Sequence, residues 1–165
     1  MAINLSKGDN VSFSHSLTNV CVGLGWDPNE GAGHEYDLDA SAFMLGHNGR
    51  LITDEFFVFY NNQLSPDGAV QSTGDDQTGR NSEEGDDETL MVDLAKVDPR
   101  VQEILFTATI YKAEERRQNF GQVSNAYIRI YNSTNEEEIA RYDLNEDFSV
   151  ETAVEFGRLY RSFGE

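Results

Sequence analysis

Short alternating or wholly apolar runs, separated by turn residues, dominate the chain and predict strands. Residues 19–24 form an apolar run that closes into a polar, glycine-rich loop at 25–33. Residues 36–45 alternate, with Tyr36, Leu38, Ala40, Ala42 and Met44 on one face and Asp37, Asp39, Ser41 and Phe43 on the other. His47-Asn48-Gly49-Arg50 carries a hairpin-type Asn-Gly turn. Residues 56–60 read as a buried strand, followed by the turn Ser65-Pro66-Asp67-Gly68. After a long acidic loop over 71–88 comes a brief strand at 89–92.

Farther along, 93–100 predicts a helical turn broken by Pro99, and 101–111 a strand with Ile104, Phe106, Ala108 and Ile110 on one face. Residues 126–131 and 139–144 pair as a hairpin across 132–136. Ser149 as N-cap and Glu151 in the first turn predict a closing helix over 149–162. Ala153, Phe156, Leu159, Tyr160 and Phe163 would form its apolar stripe. Seven or eight short strands indicate a mainly β protein, a β-sandwich of two antiparallel sheets with short helices, one of them C-terminal. At 165 residues the chain is expected to form a single domain over 1–165.

Charge changes the picture more than composition does. Thirty Asp and Glu face twelve Lys and Arg, a net charge of −18. Such a surface repels nucleic-acid phosphates and anionic lipid, which argues against an unassisted DNA, RNA or membrane binder. High charge also marks disorder, but ten Phe and seven Tyr in patterned runs point to a folded chain. The single cysteine, Cys21, excludes an internal disulfide and reads as a buried structural thiol. No basic start followed by an apolar stretch and no membrane-length run is present, so a cytoplasmic location is expected.

Two acidic sets carry the candidate chemistry. The segment 75–88 holds seven carboxylates in fourteen residues against one cation, Arg80. Gly74, Gly79 and Gly85 punctuate it as a tightly folded backbone would require. Asp37 and Asp39 leave one face of a strand, and carboxylates about 4 Å apart repel by about 4 kcal/mol at an effective dielectric of 20. That face is therefore either solvated, which sits badly with Phe43 beside the pair, or holds a cation. Asp27 on the preceding loop could supply a third carboxylate. Oxygen donors in this number suit calcium, with its six to eight ligands, better than zinc or copper.

The three histidines, His15, His34 and His47, make no helical pair and read as surface or turn residues. No EF-hand fits: counted from Asp37, Ala42 replaces the required glycine and Asn48 the terminal glutamate, and from Asp75 the sixth position is Arg80. Spacing alone leaves two readings open, a calcium site assembled across loops and a strand, or a solvated acidic loop. No nucleophile elbow, phosphate-cradling loop or dinucleotide fingerprint is present. The acids sit in a polar, glycine-rich setting rather than the apolar pocket that a glycosidase acid needs, so catalysis is not indicated.

Read together, several motifs resemble the TerD family of tellurium-resistance and general stress proteins. They are Val22-Gly23-Leu24-Gly25-Trp26-Asp27, then Tyr36-Asp37-Leu38-Asp39-Ala40-Ser41-Ala42-Phe43, then Phe57-Val58-Phe59-Tyr60-Asn61. The opening Ile3-Asn4-Leu5-Ser6-Lys7-Gly8 and the late Phe120-Gly121-Gln122-Val123-Ser124-Asn125-Ala126-Tyr127-Ile128-Arg129-Ile130 match too. So does the acidic loop from Gly74-Asp75-Asp76-Gln77-Thr78-Gly79 to Gly85-Asp86-Asp87-Glu88, although Asp76 stands where the family pattern has Asn. The resemblance implies a β-sandwich that binds more than one Ca2+ through these loops, without established catalysis, in bacterial cytoplasmic stress-resistance complexes. Carried over, it makes Asp75, Asp86, Asp87 and Glu88 the leading ligands, then Asp37 and Asp39. Asp27, Asp76, Glu84 and the backbone carbonyls of Thr78 and Gly79 complete the set. The partners it implies are other proteins of such a complex, docking on a calcium-ordered surface. A calcium-dependent membrane or adhesion module and a metal-dependent hydrolase are the alternative functions.

Overall fold

The computed structural model describes residues 3–4, 9–13, 16–27, 31, 33–73, 87–120, 122–123, 125–143 and 152–161. Ten strands run in chain order: β1 (Ile3–Asn4), β2 (Asn19–Gly25), β3 (Leu38–Leu45), β4 (Phe57–Val58), β5 (Val70–Ser72), β6 (Glu88–Asp93), β7 (Glu103–Ile110), β8 (Tyr127–Asn132), β9 (Glu138–Asp143) and β10 (Ala153–Tyr160). Short 3-10 turns cover Asp54–Phe56 and Leu94–Lys96, and one four-residue helix, α1 (Ala113–Arg116), follows β7. The strands form two sheets, β1-β9-β8-β2-β6-β5 and β10-β7-β3-β4. Pairing is antiparallel throughout except for β1, which joins β9 in parallel. The expected mainly β architecture of two sheets is what forms.

Strict alternation builds the core. On β3, Leu38, Ala40, Ala42 and Met44 are buried, and on β7 the same holds for Ile104, Phe106, Ala108 and Ile110. They meet Val20, Val22 and Leu24 of β2 and Leu90 and Val92 of β6 across the interior. Burying each large aliphatic or aromatic side chain here contributes about 1.5–3 kcal/mol. Cys21 is buried on β2, as expected of a structural thiol. The outer face of β3 also explains Phe43. Its ring stacks on Phe57 at 4.4 Å, and Phe57 stacks on Phe59 at 4.5 Å, so aromatic neighbours cover it on the solvent side of the sheet.

The turns follow their residues. Gly49 (φ 72°) and Gly68 (φ 74°) take the left-handed conformation in the two anticipated turns, closed by Gly49 N–H to Gly46 O and Gly68 N–H to Ser65 O. The Asp93 carboxylate accepts from Ala95 N–H and caps the 3-10 turn before Pro99. The expected hairpin forms between β8 and β9, with Tyr127 opposite Asp143 and Tyr131 opposite Glu138; Leu144 lies outside the described residues.

Three expectations are corrected. The closing helix does not form: its described part is β10, paired along β7 from Ala153↔Thr109 to Tyr160↔Glu103. A bulge between Glu155 and Gly157 inserts one residue into the two-residue repeat. Phe156 is the extra residue, so Ala153 (opposite Thr109) and Leu159 (opposite Ile104), which a helix would place on one stripe, fall on opposite faces of β10. Gly157 adds a helix penalty of about 1 kcal/mol, whereas the open edge of β7 offers a full ladder of partners. Ser149, Glu151 and Phe163 lie outside the described residues. The buried strand expected over 56–60 shortens to β4, because Phe59 turns back to Asn62 through paired backbone hydrogen bonds and Tyr60 is exposed. The described residues alone form ten strands where seven or eight were anticipated; β1 and β5 carry too few residues to show a repeat.

The register sets one end of the sandwich apart. β2 finishes at Gly25 opposite Tyr127, β6 starts at Glu88 opposite Leu24, and β3 starts at Leu38 opposite Ile110. The described ends of the connections 26–37, 73–87 and 111–126 therefore lie at this end. Gly25 is required here: a Cβ would collide with the Tyr127 ring, which in turn carries the Arg141 guanidinium 3.9 Å above it. Gly25→Ala should cost about 1–3 kcal/mol in chemical denaturation, the usual penalty for overpacking. In a Tyr127→Ala background the same change should be close to neutral. An equal cost in both backgrounds would show that the ring is not what excludes the methyl.

Candidate metal centre

Four carboxylates enter the loop end of the sandwich from two stretches of chain. Glu88 opens β6 and is 6% exposed; its Oε2 accepts from Ala40 N–H at 2.8 Å. The reason lies in the sheet. β4 pairs with β3 only at Ala42 and Phe43, so the Ala40 N–H, which faces away from β7, has no strand to bond. Glu88 reaches over from the opposite sheet and supplies the acceptor.

Asp87, the residue before it, makes a reciprocal clamp on the end of β2. Its N–H donates to Leu24 O at 2.9 Å, and its Oδ2 accepts from Trp26 N–H at 2.9 Å. Asp37, 6% exposed, stands just before β3, and its carbonyl accepts from Tyr111 N–H at 2.8 Å. Asp39 is half-buried on β3 opposite Thr109.

Each of three carboxylates, besides the bonds given, has an oxygen sealed from solvent: Oδ1 of Asp37, Oδ1 of Asp87 and Oε1 of Glu88. Oε2 of Glu35 is sealed as well. Removing a carboxylate from water costs several kcal/mol unless hydrogen bonds or a cation compensate, so the surroundings of these buried oxygens matter to the stability of this end.

The surrounding loops are tied to the same end. Asp27 is exposed, and its Oδ2 accepts from Asn125 Nδ2 at 2.7 Å, fastening 26–37 to 111–126. Trp26 is buried, and its indole N–H donates to Tyr36 O at 3.0 Å. Gln118, 7% exposed, donates through Nε2 to His34 O at 3.0 Å and Glu35 O at 3.2 Å. Arg116 of α1 donates to Glu35 O at 3.2 Å.

Of the anticipated residues, Asp37, Asp87 and Glu88 thus have buried oxygens at one end, with Asp39 half-buried on the adjoining strand, whereas Asp27 is exposed and engaged with Asn125. Asp75, Asp76, Thr78, Gly79, Glu84 and Asp86 lie outside the described residues. Among the described residues, no three His, Cys, Asp or Glu side chains lie close enough to hold one ion. His34 and His47 are exposed, and His15 lies outside the described residues. The donors present are carboxylate and carbonyl oxygens, the set that fits a hard cation such as calcium.

Sequence reasoning missed Glu35, Trp26, Gln118 and Asn125. Glu35, two residues before Asp37, could have been read as part of that acidic set. Asn125 lies in a motif of the family resemblance but without a role attached to it, and Gln118 gave no signal; both lie in a stretch without periodicity and meet 26–37 only through the fold.

Among the described residues no helix is long and apolar enough to cross a membrane. A model of the TerD domain matches residues 1–165. The tellurium resistance protein TerD of Serratia marcescens is 53% identical over 168 residues, covering 100% of this chain and 86% of that protein. General stress protein 16U of Bacillus subtilis is 47% identical over 169 residues, again 100% of this chain and 86% of the relative. A crystal structure of a homologue of telluride resistance protein (TerD) from Streptomyces coelicolor superimposes with a TM-score of 0.72 at 21% identity, covering 90% of this chain and 83% of that one. That likeness concerns the fold. With the family model spanning the chain and relatives at about half identity along its whole length, the chain belongs to the TerD family of tellurium-resistance and general stress proteins.

Proposed function

We propose that this protein is a calcium-binding, non-catalytic member of a stress-response system, acting in the cytoplasm as a sensor or scaffold. Calcium would draw the acidic loops together and so present an ordered surface to other proteins of a resistance complex. The observation that carries this reading is the inward placement of Glu88 and Asp87. A solvated acidic loop would leave its last two carboxylates in water. Here one oxygen of Glu88 holds the Ala40 N–H of β3, one of Asp87 holds the Trp26 N–H just past β2, and the other of each lies buried at the end where Asp37 is also buried. That arrangement anchors the end of the acidic run beside further oxygen donors, and a divalent ion would relieve the resulting repulsion.

Calorimetry on chelator-stripped protein should register saturable calcium binding. At a hundredfold excess over the dissociation constant, binding adds about 2.7 kcal/mol of stability, which raises the melting temperature by about 5–10 °C for a domain of this size. Neither heat nor a thermal shift at millimolar calcium would defeat the proposal.

Glu88 separates structural from metal-binding roles. Glu88→Ala strands the buried Ala40 N–H and should cost about 1–3 kcal/mol in chelator. Glu88→Gln keeps a carbonyl acceptor for that N–H, so it should be milder in chelator yet lose most of the calcium-dependent rise. A Gln variant with the wild-type calcium response would reduce Glu88 to a backbone cap. For the scaffold role, pull-downs should recover partner proteins in calcium and lose them in chelator; recovery indifferent to calcium would remove the sensor from the proposal.

A further inference from the structure

A cleft opens between the two sheets on the side away from the acidic loops. It has two adjoining compartments of about 270 and 130 Å3. The larger lies near the 94–102 connection, at the opposite end of the sandwich from Asp37 and Glu88, with Val97, Val101, Ile104 and Leu159 on its walls. The smaller runs inward past Gly157 to Phe106 and Ile128. Val11 and Phe13 line both compartments from a strap, which Tyr160 fastens by donating from Oη to Asn10 Oδ1 at 3.0 Å. Gly157 pairs with Phe106, whose side chain is in the core, and a Cβ added to Gly157 would meet nothing within 4 Å. Gly157 is itself exposed, so the cleft is open to solvent along β10, and its described lining joins apolar side chains such as Val22, Phe106 and Ile128 to charged ones, Asp9, Arg129, Arg141 and Arg158.

Its rim is cationic in a chain of net charge −18. Arg158 and Arg161 both border the larger compartment. Glu103 neutralises Arg158 through an ion pair of 3.1 Å. Arg161 uses only Nε, donating to Val101 O at 2.9 Å, and its two terminal nitrogens have no partner among the described residues. A guanidinium with a free edge is a fork for a planar anion.

We infer that this cleft binds a free, medium-length alkyl carboxylate, with its chain between the sheets and its head group on Arg161. The site stands apart from the proposed calcium centre in residues and in place, so either can fail without the other. A cationic amphiphile would meet Arg161 unfavourably, and a neutral one would gain the chain contacts alone.

The test is calorimetric titration of the whole protein with octanoate, nonanoate and decanoate below their aggregation concentrations, alongside decanol and decyltrimethylammonium. Decanoate should bind saturably, one per chain, with affinity rising about fourfold for each added methylene. Decyltrimethylammonium should bind at least tenfold more weakly. Arg161→Gln should weaken decanoate about tenfold and leave decanol unchanged. Gly157→Leu, which fills the smaller compartment, and Val97→Phe, which fills the larger, should each weaken decanoate and decanol together. Methyl resonances of Ile104, Val97 and Leu159 should shift on binding. Absence of saturation, equal affinity for the cationic amphiphile, or unchanged decanoate binding in a folded cleft-filling variant would each overturn the assignment.

Discussion

One hydrogen bond across the interior, from Ala40 N–H to Glu88 Oε2, joins the two sheets where the smaller one runs out of strands. β3 is an interior strand only where β4 lies beside it; nearer the loop end its outward backbone is exposed to the gap between sheets. A buried N–H without an acceptor costs about 1–3 kcal/mol, and a side chain from the facing sheet is the local remedy. A carboxylate bonds more strongly than a neutral acceptor, but it brings a negative charge into the sandwich. The gain in pairing and the buried charge at this end have the same source.

Asp87 repeats the arrangement one residue earlier, exchanging hydrogen bonds with the exit of β2. Between them the two residues fix where the acidic run meets the fold. The 26–37 connection is held from the other side by Gln118, Arg116 and Asn125 of the stretch after β7. Segments far apart in sequence thus meet at the end of the sandwich where these buried oxygens lie. Membership of the TerD family accords with a role in stress response, while Arg158 and Arg161 lie at the far end of the sandwich from Asp37 and Glu88.

The readable elements are those whose local pattern and tertiary environment agree. β3 and β7 alternate without a break and lie paired in the interior of their sheet, so period two survives from sequence to structure. The turns at Gly49 and Gly68 were legible because their conformation belongs to a few consecutive residues. β10 misled because its bulge shifts the repeat by one residue, and only its pairing with β7 distinguishes a bulged strand from an amphipathic helix. Phe43 beside Asp39 looked inconsistent until Phe57 and Phe59 were seen to cover it.

Within the candidate centre, Asp37, Asp87 and Glu88 were identifiable from charge clustering and strand geometry, because carboxylates so spaced cannot all be buried cheaply. Their backbone partners, and the contributions of Trp26, Gln118 and Asn125, depend on contacts between residues about ten to one hundred positions apart. By itself the sequence determined the β-rich class, the alternating core faces, the acidic character and the family. Only the tertiary structure decided which carboxylates turn inward, which end of the sandwich they share, and that the last segment is a strand. Periodicity and charge are carried by neighbours along the chain, whereas burial, register and hydrogen-bond partners exist only once distant segments are packed together.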